Sequence, residues 1–105
     1  MGYGVNNSNR IKESLSYYYQ GTLYTWLHEP QNLYEARHIT IQDAVQVINR
    51  DDSVLIEQDF TPPRNKHIGL SSAGIITVIT DDSFTHIITA LHASATEVKE
   101  WLAAQ

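Results

Sequence analysis

The sequence predicts an α+β fold: a curved, mostly antiparallel sheet of four or five strands flanked by helices, with an extra helix or strand at the N-terminus. Three observations predict it. Residues 41–50 carry apolar side chains at helical spacing, residues 53–91 alternate with a period of two across short turns, and the chain closes on a second amphipathic helix. A chain of 105 residues suffices for one core and is too short for two.

The first 27 residues contain two predicted elements. Residues 8–20 place apolar and aromatic side chains at helical spacing and end at Gly21, which favours a helix. The three consecutive tyrosines of this segment would also suit a strand. Residues 22–27 alternate and are rich in β-branched and aromatic side chains, so they are predicted to form the first strand of the sheet.

Two helices are predicted between residues 31 and 50. Pro30 is acceptable at the first position of a short helix over residues 31–37. The helix over residues 41–50 is more strongly marked, because Thr40 and Asp43 have the spacing of a capping box and apolar residues follow at i, i+3, i+4 and i+7. That apolar stripe is typical of a helix packed on a sheet.

Four β-rich runs follow, and the turns between them are too short for crossover connections. They therefore predict an antiparallel meander. The last helix is marked by a full capping box between Ser94 and Glu97, followed by apolar residues on one helical face. The four predicted strands are residues 54–60, 66–71, 75–80 and 84–91.

Composition and charge exclude several classes of function. The chain has no cysteine, so disulfides, thiolate metal sites and a cysteine nucleophile are excluded. The net charge is −5, with acidic residues concentrated between residues 41 and 60, so the basic footprint of a nucleic-acid-binding protein is absent and DNA is not predicted as a partner of this chain alone. The sequence shows neither a signal peptide nor an apolar run of about 18 residues. We therefore expect no membrane segment and a cytoplasmic location.

Three stretches of the sequence contain short motifs that can be compared with those of known protein families. Residues 68–82 read IGLSSAGIITVITDD, and residues 86–101 read HIITALHASATEVKEW. Residues 26–44 contain a Trp, a Glu-Pro pair and the letters EARHIT before an Asp-Ala pair. Together they resemble the BrnT-type toxins of the RelE-like superfamily, which carry a Trp-Asp-Pro start, an ARHGVT segment, an IGRSSAGR hairpin and a strand that runs into SARRAT.

The resemblance implies both a fold and a function. The family has a compact, curved antiparallel sheet flanked by helices, cleaves RNA without a metal or other cofactor, and is neutralised by a cognate antitoxin protein. Such cleavage activates a ribose 2′-hydroxyl and stabilises a pentacoordinate phosphate with cationic side chains. The implied domain is residues 22–105, and residues 1–21 are an extension. This extension could lie over a sheet face, cover the surface that an antitoxin would use, or make a homodimer contact.

The cations that this chemistry needs are largely replaced in this chain. Carried over position by position, four arginines of the family fall on Leu70, Ile75, Leu91 and His92. Each lost guanidinium removes a bidentate phosphate contact that an aliphatic side chain cannot make. The resemblance itself predicts a metal-independent endoribonuclease of a type II toxin–antitoxin module. The lost cations argue against ordinary RNA cleavage and favour the alternative, a non-catalytic, protein-binding module on the same scaffold.

The remaining candidates for phosphate chemistry are scattered histidines and cations. A histidine with a near-neutral pKa can act as a general acid or base, whereas the spacing of a helical histidine pair is absent, so no metal site is predicted. The alternative for each residue is a solvated surface position or a strand end. A small-molecule or metal-binding domain that uses the histidines is a third hypothesis without a specific motif. The predicted catalytic residues are His92, His67, Arg64 and Lys66, and the predicted RNA- or partner-binding residues are Arg37, His38 and His86.

Two further segments have a structural and a functional interpretation. The acidic residues between Asp43 and Asp59 lack EF-hand spacing, so they are expected to be a solvated helix end and an edge strand. The functional alternative for them is a docking surface for a basic partner. The segment from Ser71 to Gly74 lacks the glycines of a nucleophile elbow and the lysine of a phosphate-binding loop, so it is predicted to be a hairpin turn.

Overall fold

The computed structural model of the chain describes residues 16–27 and 36–105. Within these residues, the regular elements form an α+β fold with a six-stranded sheet and two helices. In chain order they are β1 (Ser16–Tyr19), β2 (Thr22–Trp26), α1 (Ile41–Asn49), β3 (Val54–Gln58), β4 (Arg64–Ser71), β5 (Gly74–Asp81), β6 (His86–His92) and α2 (Ala95–Ala103).

The strands form one mixed sheet in the order β1-β2-β6-β5-β4-β3. The predicted meander is confirmed, since β3, β4, β5 and β6 are neighbours in sequence order and pair antiparallel. Strand β2 joins this meander in parallel, with Trp26 opposite Ile87. The predicted count of four or five strands is wrong, because β1 adds an antiparallel partner to β2 and brings the sheet to six strands among the described residues.

Of the helix and the strand predicted as alternatives for the N-terminal segment, the structure shows the strand, so the helix over residues 8–20 is wrong in the part that the structure describes. Ser16–Tyr19 is a strand, and the next two residues have positive φ angles of 51° and 83°, which make the tight turn into β2. The β-propensity of the tyrosines and this turn prevail over the helical spacing. Residues 8–15 lie outside the described residues.

The two capped helices are confirmed. At α1, the Thr40 hydroxyl accepts a hydrogen bond from the Asp43 amide, and the Asp43 carboxylate accepts one from the Thr40 amide. At α2, the hydroxyl of Ser94 and the carboxylate of Glu97 form the same reciprocal pair. Of the short helix predicted over residues 31–37, only the last two residues are described, and they are helical. Among the described residues, neither helix is long and apolar enough to cross a bilayer.

Helix α1 lies on one face of the sheet and encloses the core with it. Gly69 on β4 permits this close approach, because a Cβ at that position would collide with the Ser53 side chain and stand 3.2 Å from the Val47 side chain. The isoleucine and valine side chains of this core are at most 1% exposed, and Tyr24 and Trp26 are 6% and 5% exposed. The core residues are Tyr24, Trp26, Ile39, Ile41, Ala44, Val45, Val47, Ile76, Val78, Ile87 and Ala90.

Helix α2 lies on the opposite face, and its contact with the sheet has a polar centre. The Nζ atom of Lys66 on β4 lies 3.1 Å from one carboxylate oxygen of Glu97. The hydroxyl of Thr77 on β5 donates to the other oxygen at 3.0 Å. No residue of α2 is fully buried. The two helices therefore attach to the sheet by different means.

Candidate functional site

The four predicted catalytic residues lie at separate places on the sheet. His67 points to the α1 face, and its strand neighbour Lys66 points to the α2 face, as the pleat requires. Arg64 begins β4, and His92 ends β6 two strands away. A general acid or base and a phosphate-stabilising cation must lie within reach of one reacting atom. The structure does not bring these four side chains together.

His67 is enclosed and uncharged at neutral pH. Its side chain is 4% exposed, its Nε2 atom lies 2.8 Å from the Thr80 hydroxyl, and the Phe84 ring stands edge-on to it with 5.3 Å between ring centres. Burial lowers the pKa of His67 to about 4. The neutral imidazole is satisfied inside the fold and does not supply positive charge to a phosphate.

Lys66 and Arg64 also have partners within the fold: Lys66 forms an ion pair with Glu97, and Arg64 contacts the Phe60 ring. Burial alone would raise the pKa of the Glu97 carboxyl, but hydrogen bonds from the Ser94 amide, Lys66 and Thr77 hold that pKa below its usual value. Lys66 is therefore paired with a carboxylate that is ionised at neutral pH. The Arg64 guanidinium lies 5.5 Å from the centre of the Phe60 ring, within the range of a cation–π contact.

Arg37 and His92 are the two predicted residues that do meet. The Arg37 guanidinium donates to the Ala90 carbonyl at 2.7 Å, and the His92 Nε2 atom donates to the Arg37 carbonyl at 2.7 Å. His38, next in the chain, is exposed and has a positive φ of 58°. This group closes the end of β6, where it joins the segment before α1 to the sheet.

His86 belongs to a different part of the sheet. Its Nδ1 atom lies 2.7 Å from the Thr25 hydroxyl, across the parallel junction of β2 and β6. The two strands share a short register there, so this side-chain hydrogen bond reinforces the junction. Within the described residues, His86 is a structural link between strands and does not join the group at His92.

A cleft of about 400 Å³ lies between β1 and α1. Two tyrosines of β1, Tyr17 and Tyr19, form one wall, and the amides of Gln42, Gln46 and Asn49 form part of the other. Sequence reasoning missed this cleft, because the first helix prediction placed the tyrosines on a helix. The detectable feature was the row of amides at i, i+4 and i+7 on the polar side of α1.

Hydrogen bonds hold the polar wall of this cleft in place. The Ser72 hydroxyl donates to the Asp43 carboxylate, and the Ser72 amide donates to the Gln46 side chain at 3.2 Å. At the far end, Arg50 forms a two-point contact with Asp52 at 2.7 and 2.8 Å. This contact lowers the pKa of Asp52 and raises that of Arg50. The cleft therefore contains the buried carboxylate of Asp43 and the guanidinium of Arg50, whose charge is paired with that of Asp52.

A second cleft, of about 490 Å³, opens where β3 ends and β4 begins. Its rim carries the carboxylates of Glu57, Asp59 and Asp82 and a single cation, Arg64. Phe84 closes one side from the turn between β5 and β6, where it adopts a positive φ of 68°. A bulky side chain rarely adopts this backbone conformation. The cleft is thus acidic, with an aromatic wall.

Within residues 16–27 and 36–105, no group of three or more His, Cys, Asp or Glu side chains is arranged to hold a metal ion. Comparisons of the chain with family models, with curated proteins and with solved structures gave no match. The resemblance to BrnT-type toxins therefore stays a prediction from the motifs.

Proposed function

We propose that this chain is a BrnT-like toxin-fold protein that acts by binding another protein and does not cleave RNA. The observation that carries the proposal is the separate placement of its candidate catalytic side chains. His67 is buried and neutral, Lys66 is paired with Glu97, and Arg64 lies over an aromatic ring. Phosphoryl chemistry depends on several cationic groups converging on one phosphate.

The positions of the missing family arginines support the same proposal. Leu70 and Ile75 are directly opposite each other on β4 and β5, and Leu91 on β6 lies on the same face. Leu70 is 38% exposed and Leu91 is 37% exposed. The surface on which the family's arginines would hold RNA is therefore partly apolar here. Exposed apolar groups of this kind favour contact with a protein over contact with phosphates.

Residual RNA cleavage is the second candidate, and one observation favours it. Arg37 and His92 are adjacent at the end of β6, and His92 is exposed. A histidine beside an arginine could protonate a leaving group while the guanidinium stabilises the phosphate. In this structure, however, the guanidinium of Arg37 donates to a main-chain carbonyl, and the His92 ring does the same.

One experiment separates the two candidates. The purified chain, its His92→Ala variant and a variant with Leu70→Arg, Ile75→Arg and Leu91→Arg are incubated with total RNA, and each is expressed alone to follow growth. We expect no cleavage and no growth arrest from the unaltered chain. The arginine-restored variant should bind RNA more tightly in a salt-dependent manner. Cleavage by the unaltered chain that His92→Ala abolishes would contradict the proposal.

A further inference from the structure

Strand β3 ends the sheet, and its outer edge is a site where another strand can pair. In the order β1-β2-β6-β5-β4-β3, β3 is bonded to β4 on one side only among the described residues. The outer side of an edge strand presents amide and carbonyl groups at every second residue. Leu55 on this strand is 47% exposed, and Phe60 just beyond it is 50% exposed. The edge therefore combines main-chain groups with apolar surface.

Acidic side chains outnumber basic ones beside this edge. Glu57 follows Leu55 on the same face, and Asp59 comes directly after the strand. Both line the second cleft together with Asp82, and none of the three carboxylates has an ion pair within the described part of the chain. Arg64 supplies one positive charge against these three. An incoming strand would therefore meet a negative potential.

We propose that β3 binds an extended, basic segment of a partner protein, which adds to the sheet as a further strand beside β3. This inference rests on the proposed function as a protein-binding module and names the surface and the chemistry of the partner. Main-chain hydrogen bonds to β3 supply affinity, and the acidic residues select a cationic segment. One arginine or lysine of the partner occupies the cleft between Glu57 and Asp82, beside the Phe84 ring.

Charge decides between this occupant and the other candidates. If two copies of the chain paired through β3, Glu57 and Asp59 of each copy would face the same residues of the other or lie close to them, and like charges in such positions destabilise a sheet. A nucleic acid would bring phosphates to the same carboxylates. The net charge of −5 opposes both of these partners and attracts a basic one.

The pleat fixes the pattern that the partner should carry. In an antiparallel pair, the residue opposite Leu55 should be apolar and the residues opposite Glu57 and Asp59 should be basic. On the α2 face, Ile56 calls for an apolar partner and Gln58 for a polar one. A segment with this pattern is Arg-Thr-Arg-Val-Val-Thr, in which the first arginine lies opposite Asp59 and the last threonine lies opposite Val54.

The test uses three labelled peptides flanked by glycines. The first contains Arg-Thr-Arg-Val-Val-Thr, the second has glutamate in place of both arginines, and the third has Pro-Pro in place of Val-Val. Two adjacent prolines remove the amide that must face β3 whichever way the strand is oriented. Binding is followed by fluorescence anisotropy at about 50 mM and about 500 mM salt and by amide chemical shifts at up to about 1 mM peptide.

We expect only the first peptide to bind and to shift the amides of β3, with binding that weakens at the higher salt. Glu57→Lys should weaken this binding by about tenfold or more, because it places a like charge opposite an arginine. Asp59→Lys is a second variant of the same kind. Glu100→Lys, on the exposed side of α2, makes the same change in net charge and should leave the affinity within about twofold.

Three results would overturn the inference. These are equal binding of the proline peptide, shifts that map to the cleft between β1 and α1, and no shift of β3 at all. A shift of the β3 amides with protein concentration and without peptide would assign the edge to a second copy and exclude the basic segment. RNA cleavage would contradict the proposed function without changing the peptide result, whereas failure of the peptide without RNA cleavage would overturn only this inference.

Discussion

The two faces of the sheet are built differently. On the α1 face, the isoleucine and valine side chains of the core are at most 1% exposed, and Gly69 allows the helix to approach β4 closely. On the α2 face, no helix residue is fully buried, and Glu97 is held by Lys66 and Thr77. Burial of apolar area dominates folding, whereas an ion pair near the surface contributes little. The α1 face should therefore carry most of the stability.

This difference bears on function. The α2 face carries Leu70, Ile75 and Leu91. None of the three belongs to the apolar core under α1. Substitution of the half-exposed Leu70 or Leu91 should therefore cost little stability. On the α1 face, substitutions at the apolar core residues would cost stability. His67 also lies on this face but outside that apolar core, and the Phe84 ring contacts its ring.

The largest expected effect on stability comes from truncating a buried side chain on the α1 face. Ile76 is completely buried between the sheet and α1, so Ile76→Ala should lower the free energy of unfolding by about 2–5 kcal/mol through lost burial and a residual cavity. Leu91→Ala on the other face is the matched control and should cost less than about 1 kcal/mol. Urea unfolding measures both. Similar losses for the two variants would show that the faces contribute equally.

The buried histidine should make stability depend on pH. The pKa of His67 is about 4 in the fold against 6.5 for a free histidine, so the folded chain favours the neutral ring. The contribution of the neutral His67 ring to the free energy of unfolding is complete above pH 6.5 and is lost as the pH falls towards 4. The pKa difference corresponds to a loss of about 3 kcal/mol in the free energy of unfolding. Urea unfolding at intervals across this pH range should show the decline.

Two variants locate the source of that decline. His67→Gln removes the titrating ring, so the part of the pH dependence between 6.5 and 4 that belongs to this residue should disappear. His92→Gln removes an exposed histidine and should leave the decline in place. If His92→Gln flattened the profile and His67→Gln did not, the assignment to the buried ring would be wrong.

Local sequence patterns predicted much of the fold and little of the candidate site. The capping boxes at Thr40 and Ser94 and the period of two after residue 53 are set by neighbouring residues, so they can be read directly. The helix predicted over the tyrosines was wrong, because their spacing fits both helix and strand. The parallel pairing of β2 with β6 and the two clefts join residues far apart in the chain. The pleat predicts that Lys66 and His67 point to opposite faces of the sheet, but no motif predicts that their partners are Glu97 and Thr80.

The smallest expected effect tests the polar centre of the α2 face. Lys66→Met and Glu97→Gln remove the two charges, and glutamine retains an oxygen that can serve in the capping box with Ser94. A double-mutant cycle should give a coupling free energy of about 1 kcal/mol or less, because the pair is only partly shielded from water. The coupling should shrink further at about 1 M salt. A coupling of about 3 kcal/mol, insensitive to salt, would mean that α2 is anchored by this ion pair as firmly as α1 is by its apolar side chains, and the distinction between the two faces would fail.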